Sequence, residues 1–223
     1  MFDWRWDFAF EIMPRLLWAT LNTLLAAGIG YGIALVLGLV FALAQRTRFA
    51  SLTFIVRELV EFIRSTPLVL QIFFVFYVGP QFGIRLSPWT SGMIAIGLHY
   101  AAYLSEVYRA GIESVPRGQW EACRALNLSA GRTYFRIIIP QALPASLPGM
   151  GNYMVGIFKD TPMLSVIGVT ELMHTANALG SETYRFLEPY TLVGVIFLAI
   201  SLPTAAGLRW FEAWVRRSLG MGR

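Results

Sequence analysis

Long stretches without charged side chains alternate along the chain with short charged segments. Five of these stretches are at least 20 residues long, and they cover residues 16–45, 65–84, 86–105, 137–158 and 189–208. A helix needs about 20 predominantly apolar residues to cross a bilayer. We therefore predict an all-α, polytopic membrane protein with five transmembrane helices. A sixth stretch, residues 161–170, is too short to cross and is expected to be re-entrant or interfacial.

The composition supports a membrane location, because 56% of the 223 residues are hydrophobic and only 14% are charged. A soluble domain carries about 25% charged residues. The net charge of +5 would suit nucleic-acid binding, but the charges lie scattered between the apolar stretches. That distribution favours membrane topology as its cause. We expect a lipid bilayer, and no nucleic acid, as a partner.

The distribution of basic residues predicts the orientation of the chain. With the N-terminus outside, five spans leave the C-terminus inside, which places 13 of the 18 basic residues on the inner side and 5 outside. Cytoplasmic loops carry the excess of Lys and Arg in membrane proteins. We therefore predict an external N-terminus and a cytoplasmic C-terminus.

The N-terminal segment alternates aromatic and other residues, with Phe2, Trp4, Trp6, Phe8 and Phe10 as the aromatic positions. A period of two is typical of a strand, but in a membrane protein we favour an aromatic belt at the outer interface. The predicted organisation is a periplasmic interface segment over 1–15, a transmembrane domain over 16–215 and a cytoplasmic tail over 216–223.

Two single residues exclude whole classes of site. Lys159 is the only lysine, and it follows Gly156-Ile157-Phe158, whereas a phosphate loop requires the sequence Gly-Lys-Ser/Thr. The chain therefore cannot bind ATP by that motif, and we do not expect it to be an enzyme. Cys123 is the only cysteine, which excludes an internal disulfide and a cysteine-rich metal site. No cofactor is expected.

The sequence gives only weak support to three classes of membrane protein. In a membrane enzyme, His99 and Glu106 would share a helix face, but no third metal ligand has a useful spacing and no nucleophile motif is present. A stand-alone secondary transporter usually has internal repeats and more spans. A channel subunit would need a selectivity filter, and no such motif is present.

The predicted inner loop, residues 114–144, has the pattern of a short helix-turn-helix. Pro116 suits a helix start, and a helix is predicted over 120–126. Asn127 then tolerates the left-handed conformation that often ends a helix, and Ser129 can cap the next helix. The small residues Ala122, Cys123 and Ala125 would let the first helix sit in a groove on another protein.

This loop resembles the EAA loop of ABC importer permeases, whose pattern is E-A-A, three residues, Gly, nine residues and I-x-L-P. Glu121-Ala122-Cys123 stands at the E-A-A positions, Asn127 at the Gly position, and Ile137 and Pro140 at the first and last positions of I-x-L-P. Cys123, Asn127 and Ile139 depart from the pattern, but Asn127 keeps the turn and Ile139 keeps an apolar contact. The spacing is intact.

Further segments resemble the polar amino-acid branch of these permeases. They are Arg64-Ser65-Thr66-Pro67 followed by Gln71, the stretch 102–112, the stretch 116–119, and Lys159-Asp160-Thr161-Pro162-Met163-Leu164-Ser165, in which Pro162 replaces Ser. Within that branch, the segments 180–184 and 187–191 look most like ectoine and hydroxyectoine permeases.

The resemblance implies the type I importer arrangement and its partners. Two permease subunits, identical or paralogous, would form the pathway in the cell inner membrane. Two cytoplasmic ATPase subunits would drive transport, and a solute-binding protein would deliver a small polar solute from outside. The EAA helix would be the coupling helix seated in the ATPase. The residues assigned to that contact are Arg117, Gly118, Glu121, Ala122, Cys123, Asn127 and Pro140.

A charged pair near the end of the fourth span predicts part of the solute pathway. If this span begins near Pro144, Lys159 and Asp160 lie about 22 Å into a core of about 30 Å. Charges at membrane depth are expensive, which makes them functional candidates. We expect Asp160 to meet the cationic part of a zwitterionic solute, with Thr161 beside it. Lys159 would meet the solute carboxylate or neutralise Asp160, although snorkelling outward is an equal alternative.

Other polar residues near the spans have two interpretations. Thr66 and Gln71 flank the helix interruption at Pro67 and are candidates for solute hydrogen bonds, with packing between helices as the alternative. Glu106 and Arg109, three residues apart, are expected to form an ion pair that anchors the inner end of the third span.

Overall fold

The computed structural model describes residues 3–218, and this part of the chain is entirely helical between its turns. The α-helices are α1 (Trp6–Ala44), α2 (Ala50–Ser65), α3 (Leu68–Phe73), α4 (Pro88–Glu113), α5 (Arg117–Ala125), α6 (Ala130–Arg132), α7 (Ile139–Asp160), α8 (Leu172–Thr183) and α9 (Leu187–Ser218). The π-helical segments Phe74–Val78 and Thr133–Ile138 and the 3-10 segments Gly79–Phe82 and Thr161–Ile167 complete the set.

Helices α1 and α4 form the centre of the fold, and α7 packs against both of them. Glycines permit the close approach of α1 and α4. A Cβ atom on Gly30 would come within 2.6 Å of the Ile96 side chain, and one on Gly38 within 2.9 Å of the Leu104 Cβ atom. The main apolar core therefore depends on small residues along one side of α1.

The predicted second span is not a straight helix. Its first residue, Ser65, is the last residue of α2. The chain is extended at Thr66 and Pro67, and α3 then continues through a π segment and a 3-10 segment to Phe82. The two arms are bent by 109°. Proline cannot donate an amide hydrogen bond and disfavours helical geometry in the residue before it, which explains the break at this point.

Two helices in the described part are long and apolar enough to cross a membrane, Trp6–Ala44 and Leu187–Val215, and the bent pair raises this to three if it counts as one span. The stretches predicted as the third and fourth spans form α4 and α7. These helices carry buried polar side chains, namely Ser91, His99 and Ser105 on α4 and Ser146 on α7. The all-α membrane architecture is confirmed, whereas the count of five spans stays a prediction.

The residues before α1 contact the start of α9. The alternating aromatic residues do not form a strand, since α1 begins at Trp6 and runs without a break through residue 15. The backbone N–H of Arg5 donates to the carboxylate of Glu188, which is fully buried at the start of α9. At the other end, residues 216–218 belong to α9. Residues 1–2 and 219–223 of the predicted end segments lie outside the described part.

The region after α7 contains a helix that the charge pattern does not predict. The short apolar stretch 161–170 forms a 3-10 segment over Thr161–Ile167, which ends at Gly168 with a positive φ of 81°. Helix α8 follows, and its first amide, that of Leu172, donates to the hydroxyl of Thr23 on α1. This region closes the end of the fold at which α7 finishes.

Candidate solute pathway and coupling surface

An open cavity of about 570 Å³ lies between α4 and α7. Its wall combines aromatic rings, polar groups and one carboxylate. The lining residues are His99, Tyr100, Tyr103, Val107, Gly149, Asn152, Tyr153, Gly156 and Asp160. Residues of α7 spaced by three, four and seven share one helix face, which is why Gly149, Tyr153, Gly156 and Asp160 appear together.

Glycines bring α7 close to α4 along this wall. A Cβ atom on Gly149 would lie 2.8 Å from the Val107 side chain, and one on Gly156 would lie 3.1 Å from the Tyr100 hydroxyl. The contact at Gly149 leaves no room for a larger residue without movement of the β-branched Val107. The cavity is therefore held between two closely packed helices.

Three tyrosines form the aromatic part of the wall. The ring centroids of Tyr103 and Tyr153 are 5.4 Å apart, those of Tyr100 and Tyr153 are 6.1 Å apart, and those of Tyr100 and Tyr103 are 6.4 Å apart. His99 packs at 5.1 Å from Tyr103. Tyrosine rings present a negative face to cations and a hydroxyl to polar groups, so this wall suits a small polar solute with a cationic part.

Asp160 lies at the end of this wall, where the Tyr100 hydroxyl donates to its Oδ2 atom at 2.7 Å. The other carboxylate oxygen has no hydrogen bond to any of the residues 3–218. The neighbours predicted with Asp160 are placed differently. The Lys159 side chain is exposed and does not line the cavity. Thr161 is fully buried, and its hydroxyl donates to the Phe158 carbonyl.

Thr66 and Gln71 join the broken helix to α4. The Gln71 amide nitrogen donates to the Ile63 carbonyl at 2.7 Å and to the Thr66 hydroxyl at 2.8 Å. The Gln71 amide oxygen lies 3.2 Å from Nδ1 of His99. These bonds replace backbone bonds that the break at Pro67 removes. They also make His99 a hydrogen-bonded interhelical residue rather than a member of an acid–base pair with Glu106.

The predicted ion pair of Glu106 and Arg109 is confirmed. Arg109 Nη2 lies 2.5 Å from Glu106 Oε2, and Arg109 Nη1 lies 3.1 Å from Glu113 Oε1. The Glu106 carboxylate holds the pKa of the Arg109 guanidinium above its usual value, chiefly through their hydrogen bond. Arg46, just after α1, also reaches Glu113 at 3.5 Å. The last turns of α4 are thus tied to the end of α1.

The helix-turn-helix predicted in the inner loop is present. Helix α5 follows Pro116, and Asn127 has a positive φ of 49°. The amide of Leu128 donates to the Cys123 carbonyl and that of Asn127 to the Arg124 carbonyl, a Schellman arrangement in which a left-handed residue satisfies the last carbonyls of the helix. The Ser129 hydroxyl accepts from the amide of Arg132 and caps α6.

Most of the residues assigned to ATPase contact are exposed on this loop, namely Arg117, Gly118, Glu121, Ala122, Asn127 and Pro140. Cys123 differs, because it is buried and only 3% of its surface is accessible. Its thiol therefore faces the rest of the protein and not the outer surface of α5. Two large apolar side chains on the same loop, Leu126 and Phe135, are 70% and 64% exposed.

Helix α5 is held against the rest of the protein by aromatic contacts. The Trp120 ring lies edge-on to Tyr134 with centroids 5.5 Å apart, and the Arg46 guanidinium lies 5.7 Å from the centre of the Trp120 ring. The amide of Gln141 also donates to the side chain of Gln119. Helix α5 is therefore linked to the residue after α1 and to the start of α7.

The sequence analysis missed the tyrosines of the cavity wall. Tyr100 and Tyr103 are three residues apart on α4, and Tyr153 precedes Asp160 by seven residues on α7. Helical spacing from Asp160 would have found Tyr153 and Gly156. Tyr100 and Tyr103 are three residues apart, but the sequence does not indicate which helix they face. Only the packing of α4 on α7 shows that they line the cavity.

The comparisons with known proteins agree with this architecture. Residues 34–217 match the family of binding-protein-dependent transport system inner membrane components. A probable amino-acid ABC transporter permease of Sinorhizobium fredii is 41% identical, over 94% of this chain and 94% of its own length. A probable glutamine ABC transporter permease of Bacillus subtilis is 34% identical, over 88% of this chain and 91% of its own.

Solved structures give the same result. The chain resembles the crystal structure of an amino acid ABC transporter with histidines, with a TM-score of 0.87 and 30% identity, covering 95% of this chain and 99% of that one. An inward-facing methionine transporter, MetNI, has a TM-score of 0.68 at 17% identity, covering 93% and 96%, a likeness of fold alone. The chain belongs to the family of inner membrane components of binding-protein-dependent transport systems, as a permease subunit of the ABC transporter class.

Proposed function

We propose that this permease, with a second copy or a paralogue, forms the pathway through which an ABC importer moves a polar amino acid or an amino-acid-like compatible solute. Importers of this class work with an ATPase and a solute-binding protein. The names of the relatives mention amino acids, including glutamine. Ectoine or hydroxyectoine is our more specific proposal for the solute, and it rests on the resemblance of segments 180–184 and 187–191.

The observation that carries the proposal is the carboxylate of Asp160 at the edge of a tyrosine-lined cavity. One oxygen is held by Tyr100, and the other has no protein partner among the described residues. A free carboxylate oxygen beside aromatic faces attracts a cationic group by both charge and cation–π interaction. We assign to Asp160 the contact with the cationic part of the solute.

Thr66, Gln71 and Thr161 have a supporting role in this proposal. Their polar groups are already bonded within the protein, to Ile63, His99 and Phe158 among others. Such groups fix the broken helix and the end of α7 rather than bind solute. Lys159, which is exposed next to Asp160, is proposed to meet the carboxylate of the solute from outside the cavity wall.

We further propose that α5 is the coupling helix and that ATP hydrolysis belongs to a separate subunit. The exposed face of α5 with Glu121 and Ala122, and the exposed apolar side chains Leu126 and Phe135, would lie in the ATPase groove. With α5 on the cytoplasmic side, our proposal has the N-terminus outside and the C-terminus in the cytoplasm, in the cell inner membrane. The count of basic residues supports the same orientation.

The test is solute uptake by the complete transporter reconstituted in proteoliposomes. In the variant Asp160→Asn we expect uptake of a labelled amino acid or ectoine to fall at least tenfold, while basal ATP hydrolysis and the recovery of the complex stay unchanged. Asp7→Asn is the matched control, because Asp7 is exposed at the start of α1. Unchanged solute affinity and uptake in Asp160→Asn would overturn the assignment of Asp160.

A further inference from the structure

A second cavity, of about 470 Å³, lies beside the C-terminal turns of α4. It is enclosed by the end of α1, one face of α2 and the last turns of α4. Its wall is mainly polar and is made by Gln45, Arg46, Thr53, Arg57, Val60, Glu61, Arg64, Glu106, Arg109 and Glu113. The solute pathway proposed above does not use this cavity.

The wall of this cavity, which we call the arginine cavity, carries four arginines and three glutamates. Three of the arginines have carboxylate partners, with Arg64 at 3.3 Å from Glu61, Arg46 at 3.5 Å from Glu113, and Arg109 paired with both Glu106 and Glu113 (a set that uses all three carboxylates). Arg57 has no ion pair within residues 3–218. Because four arginines face three carboxylates, the cavity keeps one positive charge in excess.

Donors without acceptors concentrate on the same wall. The Nε2 atom of Gln45 and the Nε atoms of Arg46 and Arg64 are buried and have no hydrogen-bond partner among the described residues. A buried donor without an acceptor costs about 1–3 kcal/mol, so native proteins rarely leave several together. The Arg46 and Arg64 guanidiniums are also held in place by Trp120 and Tyr103, at 5.7 and 5.5 Å from the ring centres. The wall thus carries donors that suit an anionic ligand with several acceptor oxygens.

The position of the cavity points to the chemistry of that acceptor. On α2, the side chains Leu52, Ile55, Leu59 and Phe62 recur every three or four residues, and they are 42–66% exposed. Thr53, Arg57, Val60 and Arg64 form the opposite, cavity-facing side. A helix with such faces lies at a membrane surface. The arginine cavity therefore opens at the depth of lipid head groups, on the arginine-rich inner side.

We propose that the arginine cavity binds a phosphate group. Phosphate offers several acceptor oxygens and accepts the forked, charge-assisted hydrogen bonds that guanidinium groups provide. The head group of an acidic phospholipid and a soluble phosphate ester share this chemistry. Arg57 supplies the uncompensated charge, and Gln45, Arg46 and Arg64 carry the unpartnered donors.

The experiment compares Arg57→Gln with Arg48→Gln in the purified, complete transporter. Arg48 is a matched control, because it is an exposed arginine that stacks on Phe49 and does not line the cavity. Each protein is placed in nanodiscs of phosphatidylcholine with and without phosphatidylglycerol. Lipid that stays bound after detergent exchange is counted by native mass spectrometry, and thermal stability is recorded for each variant.

We expect the wild type and Arg48→Gln to retain phosphatidylglycerol selectively, and Arg57→Gln to retain several-fold less at the same thermal stability. A parallel titration with inorganic phosphate and with glycerol 3-phosphate distinguishes the source. If these ions bind and Arg57→Gln weakens them while lipid retention is equal in all three proteins, the ligand is a soluble phosphate. Equal retention of lipid and equal binding of phosphate by Arg57→Gln and wild type would overturn the proposal. Solute affinity is not part of this readout, so failure here is separate from failure at Asp160.

Discussion

The Tyr100 hydroxyl donates to Asp160 Oδ2 at 2.7 Å and so joins the middle of α4 to the last turn of α7. The two residues are 60 positions apart in the chain. This bond orients a carboxylate that would otherwise rotate freely, and it leaves the second oxygen open to the cavity. Tyr100, which itself lines the cavity, thus sets the orientation of the Asp160 carboxylate.

Removing this bond by Tyr100→Phe should weaken solute binding and leave Asp160 in place. Without this bond the Asp160 carboxylate must be ordered when solute binds, which costs about 0.5–1.5 kcal/mol for one side chain and corresponds to a rise in the apparent KM for uptake of about two- to tenfold. The measurement is the dependence of uptake on solute concentration in proteoliposomes. Tyr190→Phe is the control, because its hydroxyl bonds to Asn177 outside the cavity. An identical KM in Tyr100→Phe and wild type would show that the bond does not orient Asp160 for binding.

Local sequence patterns correctly predicted the helix-turn-helix of the inner loop and the ion pair on α4, because the residues involved are close in sequence. The left-handed Asn127, the cap at Ser129 and the Glu106–Arg109 pair each join residues at most four positions apart or depend on one residue's own backbone preference. Such features follow from residue type and helical spacing alone. The same holds for the helix break at Pro67.

The cavity wall could not be predicted in the same way, because it depends on how helices meet. Tyr100 and Asp160, or Gln71 and His99, become neighbours only through the packing of α4 against α7 and α3. The sequence marked Asp160 through its charge, but it did not show that the neighbouring Thr161 is buried or that Lys159 lies outside the cavity wall. The side of α7 that faces α4 carries Gly149 and Gly156, which contact Val107 and Tyr100 closely. These contacts are known only when the positions of both helices are known.

The bend between α2 and α3 should depend on Gln71. In Gln71→Leu the Ile63 carbonyl keeps its bonds from Thr66 but loses the shorter one from Gln71, the Thr66 hydroxyl loses the Gln71 donor, and His99 loses its bond to the Gln71 amide oxygen. We expect a loss of about 1–3 kcal/mol of stability, because buried polar groups are left unpaired. Thermal unfolding of the purified transporter, followed by tryptophan fluorescence, measures the change.

Gln141→Leu is the matched control for this bend. Gln141 is exposed, and its amide donates to Gln119 and to the Ile137 carbonyl at the surface. The unfolding temperature of Gln141→Leu should stay close to that of wild type. Equal unfolding temperatures for both variants and wild type would contradict a structural role for Gln71 and reopen solute contact as its role.

The buried thiol of Cys123 predicts a difference in chemical reactivity along α5. In the folded permease, a maleimide should label Cys123 slowly, since only 3% of the residue is accessible. In the double variant Cys123→Ala, Ala122→Cys the new thiol lies at an exposed position and should react many times faster. Binding of the ATPase should then protect position 122. Labelling that is equally fast with and without the ATPase would argue against α5 as the docking helix.

Glu171 gives the protein a pH-dependent stability. Its side chain is fully buried at the start of α8, where it accepts the amides of Met173 and His174 at 2.9 and 2.7 Å. Burial raises the pKa of Glu171 from 4.5 to about 7, against the lowering effect of those two amides. Between these values the folded protein holds a proton that the unfolded chain has lost. Stability should therefore be full below about pH 4.5 and fall as the pH rises towards 7, by at most ~3 kcal/mol.

Glu171→Gln tests this assignment, because glutamine keeps an acceptor for the helix amides and cannot ionise. We expect the unfolding temperature of wild type in detergent to decrease between pH 5 and 7 more steeply than that of Glu171→Gln. Glu182→Gln serves as the control, since Glu182 is exposed and pairs with Arg15 on the surface. That control should keep the wild-type slope. If Glu171→Gln also keeps it, the titrating group lies elsewhere, and the carboxylate of Glu171 is ionised in the folded protein throughout this range, held by the two amides despite its burial.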